Sequence, residues 1–141
     1  MSAEPGPLDP DVGGFAEHGP VVAVIGVGGA LGSLARYGVN EALPYAGGFP
    51  LSTLLENVVG SLLLGALLVV LTELRTPHRL ARPFLGTGVL GGFTTFSTYA
   101  VDSITRETAA VAGFYVVLTL AAALTASWAG VTCTRWLGGA R

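Results

Sequence analysis

Apolar residues dominate four stretches of the chain, and short polar or glycine- and proline-containing segments separate them. The four stretches are Val21–Leu43, Leu51–Leu74, Pro83–Thr105 and Ala109–Trp136. Each is close to the roughly 20 residues that a helix needs to cross the hydrocarbon core of a bilayer. The pattern predicts an all-α, polytopic membrane protein with four transmembrane helices.

The third stretch differs from the others because its middle is a poor helix former. Gly91 and Gly92 are adjacent, the β-branched residues Thr94 and Thr95 follow, and Ser97 adds a further hydroxyl group. These residues predict a helix that is interrupted at mid-membrane depth, which is tolerated only where protein or water surrounds the break. Free carbonyl groups at such a break suit a cation, and the positive end of the resumed helix suits an anion.

Two aromatic residues follow the predicted break, Phe96 and Tyr99. They are three positions apart and therefore share one face of a helix. Because the edge of an aromatic ring is positive, the two rings predict the lining of a path for a small anion. The alternative interpretation is that both side chains serve only in packing.

The second stretch contains polar residues at membrane depth. Asn57 lies four positions from Thr53 and from Ser61, so the three form one polar stripe. The Asn57 amide can replace part of the hydration shell of an ion, or it can hold two helices together through hydrogen bonds. Glu56 is turned about 100° around the helix from Asn57. It either reaches the water at the lipid headgroups or, if it lies deeper, is protonated or paired, for which Arg36 is a candidate partner.

The arginines predict the orientation in the membrane, since the chain has no lysine. In a chain with four spans, one side carries Arg75, Arg79, Arg82, Arg135 and Arg141. The other side has Arg106 and Arg36. The positive-inside rule therefore predicts that both termini lie in the cytoplasm. Arg36 either extends to the lipid headgroups or gathers anions at a vestibule.

Composition restricts the classes of function. Hydrophobic residues make up 51% of the chain and charged residues only 11%, against about 25% charged in globular domains. The single cysteine, Cys133, excludes an internal disulfide, and the two histidines, His18 and His78, lie far apart. With no nucleophile–base set and no metal-binding cluster, the sequence predicts neither an enzyme nor an organic cofactor, and it does not indicate nucleic-acid binding.

Residues 1–19 have a composition of their own. They are rich in proline and glycine and contain four acidic residues but no basic one. Such a segment cannot bury enough apolar surface to fold. We therefore expect a disordered acidic tail at 1–19, followed by one membrane domain at 20–141.

Three motifs carry a resemblance to a known family. The segments Gly29–Tyr37, Asn57–Ser61 and Gly91–Tyr99 resemble the first-, second- and third-helix signatures of the CrcB-type (Fluc) fluoride channels. Their order, their spacing and the four-helix layout match, and the resemblance covers nearly everything but the tail.

The resemblance implies a passive, fluoride-selective channel that exports fluoride from the cytoplasm and so relieves fluoride toxicity. It further implies an antiparallel dimer with two pores and a structural Na⁺ at the dimer centre, held by backbone carbonyls of Gly91 and Thr94. With the hydroxyl residues of the third stretch and the vestibule arginine, the candidate fluoride pathway comprises Asn57, Phe96, Tyr99, Thr95, Ser97, Tyr115 and Arg36.

Two departures from the family pattern and the arginine bias affect the expected assembly. Tyr99 stands where the family usually has phenylalanine, and Glu56 stands where an apolar residue is usual. The arginine bias disfavours insertion of one chain in both orientations. The partner is therefore either a second copy of this chain or, as we hypothesise, a sister subunit with the opposite charge bias.

Two other functions remain as alternatives. A proton-coupled small multidrug-type exporter is also a four-helix antiparallel dimer, and Glu56 would be its proton carrier. A non-transporting assembly factor held together by small-residue helix faces is the third interpretation. The polar stripe around Asn57 and the predicted break disfavour the assembly factor.

Overall fold

The computed structural model describes residues 15–44, 49–106 and 108–139, and all of the regular structure in these ranges is helical. Helix α1 is Phe15–Ala42, and α2 is Leu51–Val69, continued by a π-helical turn, Val70–Leu74. Helix α3 combines a π-helical part, Pro83–Leu90, with one α-helical turn, Gly91–Phe93. Helices α4 and α5 are Phe96–Ile104 and Ala109–Gly138.

Three of these helices are long and apolar enough to cross a membrane. They cover His18–Ala42, Leu51–Leu74 and Ala109–Gly138. The prediction of an all-α membrane protein is thereby confirmed. Helix α1 begins at Phe15, earlier than the predicted Val21. Residues 15–19 of the predicted tail are therefore helical, whereas residues 1–14 lie outside the described ranges, so disorder stays a prediction for these alone.

The first long helix packs against α3 through glycines. A Cβ atom added to Gly32 would collide with the carbonyl oxygen of Val89, and one added to Gly28 would clash with the backbone of Phe84 and Gly88. Only glycine at these two positions allows the helix backbones to approach so closely. Gly28 and Gly32, one helical turn apart, therefore form the close contact between α1 and α3.

The second long helix pairs with α5 in the same way. A Cβ atom on Gly65 would collide with the Ser127 carbonyl oxygen, and one on Gly130 with the Leu62 carbonyl oxygen. At the far end of this pair, Arg135 donates from Nη2 to Glu73 Oε1 over 2.6 Å. The described part of the chain therefore contains two glycine-packed helix pairs, α1 with α3 and α2 with α5.

The outer surface of the helices is apolar. Leucine, valine and tryptophan side chains that a soluble protein would bury are exposed along α1, α2 and α5. The fully buried groups instead include polar ones, such as Thr53 and Glu56. An apolar outside around a partly polar inside fits a lipid environment or a partner chain.

Candidate functional site

The helical backbone stops between α3 and α4. Thr94 and Thr95 are extended, with φ/ψ of −77°/158° and −143°/121°. The Thr95 hydroxyl caps α4 by accepting a hydrogen bond from the Thr98 amide over 3.1 Å. It also lies 2.9 Å from the Thr98 hydroxyl and 3.3 Å from that of Ser97. Two of the predicted hydroxyl residues, Thr95 and Ser97, thus form one network with Thr98 at the start of α4.

A side chain from α2 binds the backbone at this point. The Asn57 side-chain oxygen accepts from the Thr95 amide over 3.0 Å, and Asn57 Nδ2 donates to the Thr95 carbonyl over 3.0 Å. One side-chain amide thereby satisfies both polar backbone groups of a buried, non-helical residue, which would be costly to leave unpaired. Gly60, one turn further on, lets α2 approach the Thr94 side chain.

The same bonds leave two carbonyl groups without their helical donors. The Thr95 amide donates to Asn57 and not to the Gly91 carbonyl four residues earlier. The Thr98 amide donates to the Thr95 hydroxyl and not to the Thr94 carbonyl. Gly91 and Thr94 are the two residues that the resemblance assigns to sodium, and Gly91 is exposed on the surface of the subunit.

A groove of about 360 Å³ opens beside the break. Most of the predicted site residues share this groove. It is lined by Asn57, Ser61, Gly91, Thr94, Thr95, Phe96, Tyr99 and Thr119, together with apolar residues of α2, α3 and α5. The groove therefore joins the polar stripe of α2, the extended segment and the two aromatic rings that the sequence predicts as one site.

Thr119 is a groove residue that the sequence analysis did not select. Its side chain is 3% exposed, and its Oγ1 lies near the Tyr115 hydroxyl but makes no hydrogen bond of full geometry among the described residues. A buried hydroxyl group without a partner is costly, and it can receive a ligand or a water molecule. The available signal was its spacing, since Thr119 lies one helical turn from Tyr115.

Four aromatic rings continue from the groove in a series. Ring centroids are 5.9 Å apart for Phe96 and Tyr99, 5.6 Å for Tyr99 and Tyr115, and 5.5 Å for Tyr115 and Phe49. Phe96 is 80% exposed, whereas Tyr115 is fully buried. The series runs from the subunit surface into its interior, and it contains all three predicted aromatic residues. The Tyr99 hydroxyl donates to the Val116 carbonyl over 3.3 Å.

Asp102, which is not among the predicted site residues, lies at the inner end of this series. Asp102 Oδ2 accepts from the Thr53 hydroxyl over 2.8 Å and from the Tyr115 hydroxyl over 3.5 Å. Its Oδ1 is 3.4 Å from Arg106 Nη2. Asp102 could have been selected from its spacing, because Phe96, Tyr99 and Asp102 lie three residues apart and so share one helix face.

The other two charged residues of the prediction lie apart from the groove. Glu56 is 1% exposed and accepts a hydrogen bond from Asn40 Nδ2 over 2.9 Å, and the nearby Arg36 charge also acts on its carboxylate. Asn40 Nδ2 also donates to the Arg36 carbonyl over 3.1 Å. Arg36 is half-buried and is not part of the groove lining.

Comparison with known proteins assigns the chain to a family. Residues 23–131 match the family model described as "CrcB-like protein, Camphor Resistance (CrcB)". The chain belongs to the CrcB family. The resemblance of the three helix motifs is thereby confirmed. All three motifs, which carry Arg36, Asn57 and the extended segment at Thr94, fall within the matched residues.

Relatives in this family carry names that state a transported ion. The chain is 48% identical to "Fluoride-specific ion channel FluC 1" of Streptomyces coelicolor, over 89% of this chain and 84% of the relative. It is 54% identical to "FluC 1" of Rhodococcus jostii, over 78% of this chain and 82% of the relative. It is 41% identical to "FluC 2" of Nocardia farcinica, over 95% and 92%.

Proposed function

We propose that the chain is a subunit of a passive, fluoride-selective channel that exports fluoride from the cytoplasm and relieves fluoride toxicity. The observation that carries the proposal is the groove in which the Asn57–Thr95 bonds, the hydroxyl groups and the aromatic series meet. CrcB relatives named as fluoride-specific channels support the identity of the ion.

The groove offers what a dehydrated fluoride ion needs. Asn57 uses one N–H on the Thr95 carbonyl and has a second one left to donate. The unpartnered Thr119 hydroxyl supplies another donor, and the Phe96 and Tyr99 ring edges supply positive potential without a charge that would trap the ion. Arg36, outside the groove, would raise the local anion concentration near one entrance.

Replacing Thr119 by valine is expected to lower the fluoride efflux rate without lowering the thermal stability of the protein. Valine has nearly the same shape, and it removes a buried hydroxyl whose unpaired state costs about 1–3 kcal/mol. The thermal midpoint should therefore stay the same or rise, while the fluoride efflux rate falls. Thermal unfolding and liposome efflux on the same preparation measure both quantities. Unchanged efflux would remove Thr119 from the pathway.

The structural Na⁺ fits the geometry of the extended segment. Carbonyl oxygens are suitable ligands for a hard cation, and discontinuous helices bind sodium through such groups. Gly91 and Thr94 would hold the ion, and a two-fold related copy in an antiparallel dimer would double the two oxygens that one chain offers. When bound, the ion supplies positive charge that fixes the two copies together.

The fourth membrane crossing belongs to the same proposal. Helices α3 and α4 would span the bilayer together, interrupted at Thr94 and Thr95, in addition to the three long spans.

Two further parts of the proposal concern the location of the protein in the cell and its partner. The protein would lie in the plasma membrane with cytoplasmic termini, as the arginine bias predicts. Its partner would be a sister subunit, since relatives numbered 1 and 2 exist, with a homodimer as the alternative.

Fluoride release from liposomes tests the proposed function directly. Vesicles loaded with potassium fluoride should release it through the purified protein when valinomycin carries potassium out, and a fluoride electrode records the rate. No proton gradient should be needed. The chain alone and the chain co-purified with its sister subunit should both be measured. If neither preparation releases fluoride, the proposed function is contradicted. If the chain alone releases fluoride, the heterodimer is contradicted.

The exporter alternative makes Glu56 essential and is tested in the same vesicles. Because Glu56 accepts from Asn40 outside the groove, Glu56→Gln keeps an acceptor oxygen for that hydrogen bond. We expect fluoride efflux to persist in Glu56→Gln. Proton-driven transport of a cationic drug that disappears in this variant would support the exporter instead.

Tyr99 departs from the usual phenylalanine, and its hydroxyl is bound to the Val116 carbonyl on α5. Tyr99→Phe should keep the ring in the aromatic series and lose only this hydrogen bond, at a cost of about 1 kcal/mol. We expect a slightly lower thermal midpoint and nearly unchanged fluoride efflux. A large loss of efflux would instead place the hydroxyl group itself in the fluoride path.

A further inference from the structure

The connection between α2 and α3 carries positive charge that no described carboxylate neutralises. Its three exposed arginines, which we call the basic surface, are Arg75, Arg79 and Arg82. The sequence has no acidic residue between Glu73 and Asp102. Glu73 itself is engaged, because both of its oxygens lie 3.0 Å from Arg135 Nε. The basic surface therefore has a net charge of +3 that is available to an external anion.

A tight turn orders the backbone that presents these arginines. The Ala81 amide donates to the His78 carbonyl over 2.9 Å, and the Leu80 amide donates to His78 Nδ1 over 3.3 Å. The Phe84 amide then donates to the Leu80 carbonyl over 3.0 Å, so the turn leads straight into α3. Binding of an anion here therefore costs less conformational entropy than binding to a disordered loop would.

The basic surface borders a helix of membrane-spanning length, and lipid phosphates lie at the ends of such helices. It follows the apolar helix that ends at Leu74, and the Leu74 side chain lies against Gly138 at the end of α5. Trp136, two residues before that contact, is 82% exposed. Exposed tryptophan is enriched at the boundary between hydrocarbon and water. Their position next to the end of this helix therefore places the arginines near the lipid headgroups.

We propose that the basic surface binds the phosphate groups of anionic phospholipids. A guanidinium group matches a phosphate through two parallel hydrogen bonds, and each arginine near a membrane strengthens attraction to anionic lipid about fivefold. Inorganic phosphate shares this chemistry. A phospholipid in addition places its acyl chains against the exposed apolar faces of α2 and α5, which favours the lipid as the source of the phosphate. This inference is independent of the proposed fluoride path.

Lipid retention by the full-length protein in neutral detergent tests the proposal. Native mass spectrometry counts bound phosphatidylglycerol and phosphatidylcholine on the wild type, on R75Q/R79Q/R82Q and on the charge-matched control R75K/R79K/R82K. The wild type should prefer phosphatidylglycerol, and the glutamine variant should lose this preference by about a hundredfold. The lysine variant should keep most of it, because it keeps the charge.

Three results would overturn the inference. The glutamine variant retains phosphatidylglycerol as the wild type does, the wild type shows no preference between the two lipids, or millimolar inorganic phosphate displaces the bound lipid. The last result would identify a site for free phosphate. Circular dichroism controls for folding. If the glutamine variant is misfolded, Arg79→Gln at the tip of the turn decides instead, with about a fivefold loss expected.

Discussion

Substitution of Asn57 by aspartate is expected to lower fluoride efflux by about a hundredfold, which corresponds to about 3 kcal/mol. The new carboxylate oxygen would face the Thr95 carbonyl oxygen, which now receives a hydrogen bond from Nδ2 over 3.0 Å. The bond from the Thr95 amide to the side chain can persist. The variant also places a negative charge on the wall of an anion path. Efflux from fluoride-loaded liposomes measures the effect.

A polar control separates this effect from a general loss of polar groups in the membrane. Thr125 is exposed on α5, and its hydroxyl donates only to carbonyls of its own helix. Thr125→Val should therefore leave efflux unchanged. If Asn57→Asp conducts fluoride as the wild type does, neither the hydrogen bond to Thr95 nor the neutral amide is required for conduction.

Substitution of Gly32 by valine is expected to prevent assembly of the subunit. The added carbon atoms would overlap the Val89 carbonyl oxygen and approach the Phe93 amide nitrogen, both of which are backbone atoms. Since backbone cannot rotate away as a side chain can, α1 and α3 must separate, at a cost of about 3 kcal/mol or more. Yield of monodisperse protein in size-exclusion chromatography and the thermal midpoint measure this loss.

Gly26 provides the matched control on the same helix. A Cβ atom at Gly26 would have no atom of another helix within 4 Å. Gly26→Val therefore adds the same apolar atoms without a clash, and we expect the wild-type yield and thermal midpoint. Equal loss of yield in both variants would show that helix propensity or insertion, and not the α1–α3 contact, limits assembly.

The helices and the glycine contacts were predictable from local patterns. Long apolar stretches predict spans because the bilayer is thick, and the Gly28–Gly32 spacing predicts a close contact because it repeats every helical turn. The low helix propensity around Thr94 and Thr95 is also a local property, and it predicted the break between α3 and α4. Residues that line the groove could be selected from the sequence for two reasons. Asn57 is polar at membrane depth, and Phe96 and Tyr99 share one helix face.

The partners of the polar residues could not be predicted in the same way. Asn57 binds the backbone of Thr95, which is 38 positions away, and Asp102 meets Thr53 at a separation of 49. Such pairs depend on the rotation of one helix against another, which a single sequence does not encode locally. For the same reason the hydrogen bond from Asn40 to Glu56 was not predicted, although Arg36, the candidate partner, lies near enough for its charge to act on Glu56.

The glycine contacts also have a consequence for biosynthesis. Helix α1 finds its close-packed neighbour in α3, and α2 finds its neighbour in α5, so each partner emerges from the ribosome only after another span has been made. Neighbouring spans therefore cannot mature as finished hairpins during translation. Each close contact can form only after its later helix has been made, so the α1–α3 contact waits for α3 and the α2–α5 contact waits for the last helix.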